Sequence, residues 1–460
     1  MGTRSRAVAH VPRALVPALA LAIALVLATA PLAASAATVS SAWKAKVGSG
    51  GANGTATIQG YTTGSGAIVL KLAKLRAATL LPVTLHKGTC ASVGAVLMRL
   101  PAIKTTSTGA AARTTALLAT QVRAITVATS GTGKIAIRVG SGTAAKCGAF
   151  VAQAIAPVVA AKITVGRSPS GVAIAPSGAW VTNWYDNTLS RIDVLTNKVL
   201  QTVPLTIAGT GGPEAIAYGE GSLWVTVIDV DSAGGLLAAS LLRVNPATGQ
   251  QVASIPIGRG AWDVEASPGA VWVPLSSDNQ VVRIDPTTNA VVATIPVAGG
   301  PTGAAIGLGS LWVSTADGHL ARIDPATNQV VATIATQTSG GFVAVGGGAV
   351  WMTNPGLSCP SDGLVSRVDP TTNQVVASVA VGSCPEEIAY GGGSLWVGLF
   401  EVPTVVRVSA TTNAVLGRVT VSHPVYGIAA SDHAVWVVHN VAAADDVSEP
   451  PPGVVTRIAY

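Results

Sequence analysis

The sequence predicts an all-β chain: a seven-bladed β-propeller, closed by pairing of its own N- and C-terminal strands and preceded by a small β-sandwich. Three observations carry this. A Trp recurs as Trp180, Trp224, Trp272, Trp312, Trp351, Trp396 and Trp436, at separations of 39 to 48 residues. A period near 40 with four short apolar runs per unit is the pattern of propeller blades. Gly numbers 51 in 460 residues and charged residues make up only 11%, which suits many short strands and tight turns. Helical repeats of similar period would need amphipathic patterns of roughly 10–15 residues, and none is present.

The elements follow in chain order. Arg4, Arg6 and Arg13 precede an apolar run over residues 14–28, and Ala34-Ser35-Ala36 supplies a small-x-small site. Residues 1–36 therefore read as an export signal cleaved after Ala36. The rival reading is an uncleaved anchor, but the run is short for a span of about 20 residues and contains Pro17. No later unbroken apolar stretch approaches about 18 residues, so no membrane-spanning segment is expected after signal removal. The expected location is secreted or cell-wall associated.

Charge then divides the chain. Residues 37–160 hold thirteen Lys+Arg and no acid, whereas residues 161–460 hold twelve Lys+Arg and all 21 acids. A basic domain joined to an acidic one speaks of partners. An exported basic domain suits a polyanion, whether wall teichoic acid, anionic lipid headgroups or extracellular nucleic acid, or the two domains attract each other; both readings stand, with a cell-envelope polymer or protein as the expected partner. No intracellular nucleic acid is expected as partner, and the oligomeric state is left open. The low total charge excludes a disordered charged tail protein.

Residues 37–150 are read as the basic β-sandwich, with β-like runs at Thr55–Gln59, Ala67–Leu72, Pro82–His86, Ala95–Leu100 and Lys134–Val139 and a short helix over about Thr114–Ala128. Residues 151–161 read as a linker, and 162–460 as the propeller. In the unit at 300–334, a strand of small residues (304–307) suits a crowded centre. The Trp strand, an Arg-Ile-Asp strand and an outer Val-Val-Ala-Thr-Ile strand follow. Arg and Asp share one strand face while Ile enters the core. Asp285-Pro286-Thr287-Thr288-Asn289 and its equivalents form tight hairpins, with Asn in the left-handed position. The repeated Trp and Arg read as structural. The chain stops after the third strand of unit seven, and Lys162–Val165 is expected to supply the missing fourth.

These units resemble the YVTN-type repeats of secreted or surface-layer propellers, the YncE-like family; Trp180-Val181-Thr182-Asn183 is close to the name-giving tetrapeptide. The resemblance spans about residues 162–460 and implies a binding or scaffolding role. The repeats resemble the streptogramin-lyase propellers more distantly. In the first domain, Leu85-His86-Lys87-Gly88 and the run from Leu117 to Val122 resemble CHRD domains, relatives of the copper/zinc superoxide dismutase sandwich. That chemistry needs clustered histidines; His86 stands alone there, so no metal and no cofactor is expected.

Four cysteines allow three pairings. Export and their two-and-two segregation favour Cys90–Cys147 and Cys359–Cys384, with free thiols or a metal site as the alternatives. Ligands of such propellers meet loops around the central channel. Residues that break the repeat there are the binding candidates: Trp184, Tyr185, Glu214, Trp262, Asp263, Glu386, Glu387 and Tyr426. The bland counterpart is a solvated acidic rim with aromatics packed under loops. The alternative to non-enzymatic binding is a lyase or hydrolase using Glu386, Glu387, His423 and His439, since carboxylates beside His suit acid/base work. The lyase family places His and Glu on this face, but its His-bearing inner motif has no match here. Asp229-Val230-Asp231 is a further candidate, for Ca²⁺, without full loop spacing.

Overall fold

The computed structural model describes residues 39–460, apart from 48–53, 62–65, 76–77, 119, 122–134, 140–144, 153–156, 231–234, 338, 357–361, 433 and 441–449. The expected export signal lies outside the described residues. The chain divides into two compact units, Met1–Ala37 and Thr38–Tyr460; the described residues belong to the second. Among them no helix is long and apolar enough to cross a membrane.

Residues 39–152 form one antiparallel sheet. Its strands are β1 (Val39–Lys46), β2 (Gly54–Tyr61), β3 (Gly66–Leu72), β4 (Leu80–Gly88), β5 (Val93–Lys104), β6 (Ala111–Leu117), β7 (Ile135–Val139) and β8 (Lys146–Ala152). Their order is β5-β4-β7-β8-β1-β2-β3-β6. The sequence alternation sets the faces: Val83 and Leu85 of β4 are buried with Ile58, Ile68, Ile135 and Ile137 in a single core, while Lys46 and Lys71 point out. β8 pairs with β7 on one side and β1 on the other. The edge strands β5 and β6 come into contact, where Arg113 Nη1 donates to Ala102 O at 2.9 Å.

The two halves of the expected sandwich, β5-β4-β7 and β1-β2-β3-β6, are joined edge to edge by β8, whose Lys146–Ala149 pair with β7 and Phe150–Ala152 with β1. Two expectations shift. Thr114–Leu117 lie in β6, not in a helix; β-branched Thr114 and Thr115 pair with Val69 and Ile68. The rest of that stretch is largely outside the described residues. Strand also takes both ends of the supposed linker: β8 runs to Ala152 and β9 (Val158–Arg167) starts at Val158. The Cys90–Cys147 disulfide is formed, with Cα atoms 5.7 Å apart, and is compatible with an extracellular protein. Cys384 is disulfide-bonded; Cys359, its expected partner, lies outside the described residues.

From β9 onward the described residues form seven four-stranded antiparallel sheets, a propeller-like repetition. Successive inner strands touch, from Pro169–Ala175 through Gly212–Gly219 to Gly427–Ala430, and the last also touches the first. The fourth strand of the seventh sheet is β9, whose Lys162 and Ile163 pair with Thr456 and Val455.

The repeat residues explain the packing. All seven Trp are buried, and each lies under an Arg of the adjacent strand, 5.0 to 5.8 Å from ring centroid to guanidinium carbon. The same Arg reaches the next sheet. Arg243 Nη1 donates to Pro286 O at 2.6 Å and Asn289 Oδ1 at 3.0 Å. Arg283 meets Asn328, Arg322 meets Asn373 and Arg367 meets Asn413, at 3.0 to 3.1 Å. These Asn residues hold φ of 56° to 61°. The left-handed turn position therefore also delivers an acceptor to the neighbouring sheet.

One substitution within the repeat has a visible consequence. Two residues before the Trp stands Ser222, Ser310 or Ser394, whose Oγ accepts from Nε of Arg243, Arg322 or Arg407 at 2.8 to 2.9 Å. Where that position is Ala270, Ala349 or Ala434, the Nε of Arg283, Arg367 or Arg457 is buried without a partner. A buried unpaired donor is destabilising, so Ala349→Ser is expected to stabilise the protein by about 1 kcal/mol. The check is the urea midpoint of unfolding; an unchanged or lower midpoint would contradict it.

The last two joints differ. Tyr460 packs on Trp396 with ring centroids 4.4 Å apart, lies under Arg407 at 5.1 Å and donates its hydroxyl to Ser431 O. Tyr460 thereby takes the place beside Arg407 that a turn Asn takes beside Arg243, Arg283, Arg322 and Arg367. Between the seventh and first sheets, Arg457 Nε and Asn197 Oδ1 are both buried without hydrogen bonds.

Candidate functional site

Where the seven inner strands meet they surround a cavity of about 420 Å³. Small residues dominate those strands because seven backbones converge there. The exceptions set the chemistry: Glu214 on the second inner strand, Asp263 and Glu265 at the third, and Glu387 on the sixth all line the cavity, with Trp262 and Tyr426.

The four carboxyl groups divide by their bonding. Asp263 Oδ2 accepts from Ala304 N at 2.8 Å and its Oδ1 from Val264 N at 2.8 Å. Glu265 Oε1 accepts from Ile306 N at 3.3 Å. These two satisfy backbone donors of the fourth inner strand. The carboxyl oxygens of Glu214 and Glu387 accept no hydrogen bond among the described residues.

Burial raises all four, since it disfavours the charged form. It brings Glu214 up to about 7, and Asp263 to about 7 against the pull of its two backbone donors. Glu265 rises to about 8, helped by the charge of Asp263. Glu387 stands well above its ordinary 4.5 because of burial and then repulsion from Asp263, Glu386 and Glu214. Glu386 is raised by burial and by Glu401.

At the rim, Trp262 and Tyr426 are each 38% exposed. Trp262 Nε1 donates to Ser276 Oγ at 3.1 Å, and Phe400 meets Tyr426 edge-on at 5.0 Å. The cavity wall thus combines carboxyl groups with partly exposed aromatic side chains.

Five of the eight binding candidates from the sequence, Glu214, Trp262, Asp263, Glu387 and Tyr426, share this cavity, and Glu386 adjoins it. Trp184 and Tyr185 do not line it. Trp184 packs flush on Gly212, where a Cβ would come within 2.7 Å of its ring. Tyr185 lies under the Arg167 guanidinium at 4.4 Å, itself paired with Asp186 at 2.5 Å. Asp229 Oδ1 accepts from the backbone of Thr210, Gly211 and Val230 at 2.8 to 3.1 Å, and the Thr210 donor leads in holding its carboxyl below the usual range. It is a loop staple; Asp231 lies outside the described residues.

The histidines are also elsewhere. His439 is fully buried; its Nδ1 donates to Pro424 O at 3.1 Å and its Nε2 accepts from Thr456 at 2.9 Å. Burial lowers it to about 4, so it is neutral. The His423 ring is 6.3 Å away, centroid to centroid, and its Nδ1 has no hydrogen-bond partner. Among the described residues neither His bonds to Glu386 or Glu387, as an acid/base arrangement would require. Nor does any group of three His, Cys, Asp or Glu there have the geometry to hold a metal ion.

Sequence reasoning missed Glu265. Its signal was a carboxylate at an inner-strand position where every other unit carries Ala, as at Ala305 and Ala429.

No family model matches the chain, and no curated protein matches it. Among solved structures it is similar to Kuenenia stuttgartiensis hydrazine synthase, with a TM-score of 0.50 and 17% identity over 59% of this chain and 93% of that one. At that identity the likeness concerns fold alone, which is all-β and propeller-like.

Proposed function

We propose that this is an exported, non-enzymatic binding protein of the cell envelope, built as a closed seven-bladed propeller of YVTN type behind a basic domain. The observation that carries the reading is the cavity: every inner strand contributes to it, and the residues that break the repeat gather there. The β9 ladder and the contact between last and first inner strands support closure of the ring. The Arg–Asn contacts support the repeat as scaffold.

The basic domain is the second surface. Lys46, Thr55 and Lys71 form one outward row across β1, β2 and β3, with no acid in residues 37–160. It suits an anionic wall polymer. The test is retention on purified cell wall by the whole protein, a Lys46→Glu/Lys71→Glu variant and a Trp262→Ala variant. Raising salt from about 0.1 M to about 1 M shortens screening from about 10 Å to about 3 Å. The charge-reversed variant is expected to lose the salt-sensitive part of binding, and Trp262→Ala the salt-resistant part. Retention of neither kind by the unaltered protein would defeat the envelope reading.

A further inference from the structure

Resting on the reading of the cavity as a ligand site, we infer that its occupant is a slender organic cation carrying two or more ammonium groups. Four features converge on this class. Glu214 and Glu387 are half-buried and line the cavity without a hydrogen bond among the described residues, so their acceptors are unspent. The carboxyls come from the second, third and sixth inner strands, and no three of them meet closely enough to hold one metal ion. Charge spread around a ring calls for charge spread along a ligand. Trp262 and Tyr426 offer exposed ring faces at the rim, favourable to ammonium and its flanking methylenes. No Lys or Arg lines the cavity to neutralise the acids from within.

Electrostatics agrees with the geometry. Like-charged groups stand together in the cavity: Glu387 beside Asp263, Glu386 and Glu214, and Glu265 beside Asp263. Glu401 adds to the repulsion on Glu386. Ammonium groups would relieve that repulsion, and the carboxyls would release protons as the ligand enters. Binding therefore strengthens from acid toward mildly alkaline pH.

Calorimetric titration of the whole protein with spermidine, near physiological salt, tests this. Saturable binding is expected at about pH 8 and at least about tenfold weaker binding near pH 5.5, with protons released in proportion. Glu387→Gln and Glu214→Gln are each expected to weaken binding about tenfold or more at the higher pH. These variants remove buried repulsion, so folding is retained, and the melting temperature verifies it. Calcium chloride is the control: equal affinity for Ca²⁺ overturns the organic assignment. So does the absence of spermidine binding, or binding that both Gln variants leave unchanged. Soluble wall fragments separate the two levels of argument. If they bind in a Trp262-dependent way while spermidine does not, the ligand class is wrong and the cavity reading stands. If neither binds, both fall.

Discussion

Trp351→Ala is expected to destabilise the protein by about 3–5 kcal/mol, the range for emptying a large aromatic site in a core. Trp351 is fully buried among Val365, Leu395 and Val397, and its Nε1 donates to Gly346 O at 3.0 Å. Removing it deletes that hydrogen bond and takes the ring from beneath Arg367, 5.3 Å away, whose Nε already lacks a partner. Against a total stability of about 5–15 kcal/mol for a typical domain, the loss is large. Chemical unfolding measures it, with Trp351→Phe expected to recover more than half of the effect. A loss below about 1 kcal/mol would mean that the repeated Trp is not the keystone of its sheet.

The second large effect is a fall in stability as pH rises from about 6.5 to about 8. Glu214 and Asp263 keep their protons to about 7 and Glu265 to about 8, against ordinary values of 4.5, 3.8 and 4.5. Glu387 lies well above 4.5. In this window the native state holds more protons than the unfolded chain, so stability decreases with pH and levels off above the native values. His439 acts in the opposite direction, but only between about 4 and its ordinary 6.5. Surface carboxyls held low, such as Asp285 and Asp369, act below 4. At about 1.4 kcal/mol per unit, the cavity carboxyls together give a drop of about 3–5 kcal/mol. Melting temperatures at the two pH values read it directly. Glu387→Gln should raise stability at pH 8 and flatten the slope; a melting temperature that climbs from pH 6.5 to 8 would refute the account.

Much of the architecture was legible because it repeats. A Trp every 39 to 48 residues, an Arg-Ile-Asp strand and an Asn-ended turn each report the same packing problem solved several times. The pairing of β9 was legible because the last unit visibly lacks a strand. The first domain was less so. Its strands alternate clearly, but nothing in the residues of β8 says that its first half pairs with β7 and its second with β1, so the join between the two halves was not foreseen. At the cavity, Glu214, Asp263 and Glu387 stood out as breaks in a repeat. Trp184 and Tyr185 broke it equally well but do not line this cavity, because a side chain's direction depends on loop geometry that spacing does not encode. The Arg–Asn link between sheets went unread for a related reason. Each residue already had a sufficient role within its own unit, and only the contact across units shows the second one.

The position of β9 gives the molecule a directional response to force. Val158 pairs with Ala459, whereas Arg167 pairs with Pro452 at the ladder's far end. A load applied between the first domain and Ala459 enters at Val158 and opens the ladder rung by rung, as a zipper, within the seventh sheet. A load between the first domain and the first sheet travels along the covalent backbone of β9 and leaves the ladder unstressed. A protein tethered by its basic domain and pulled through its inner strands would therefore stay shut, while one gripped at Ala459 would yield at a single, defined seam.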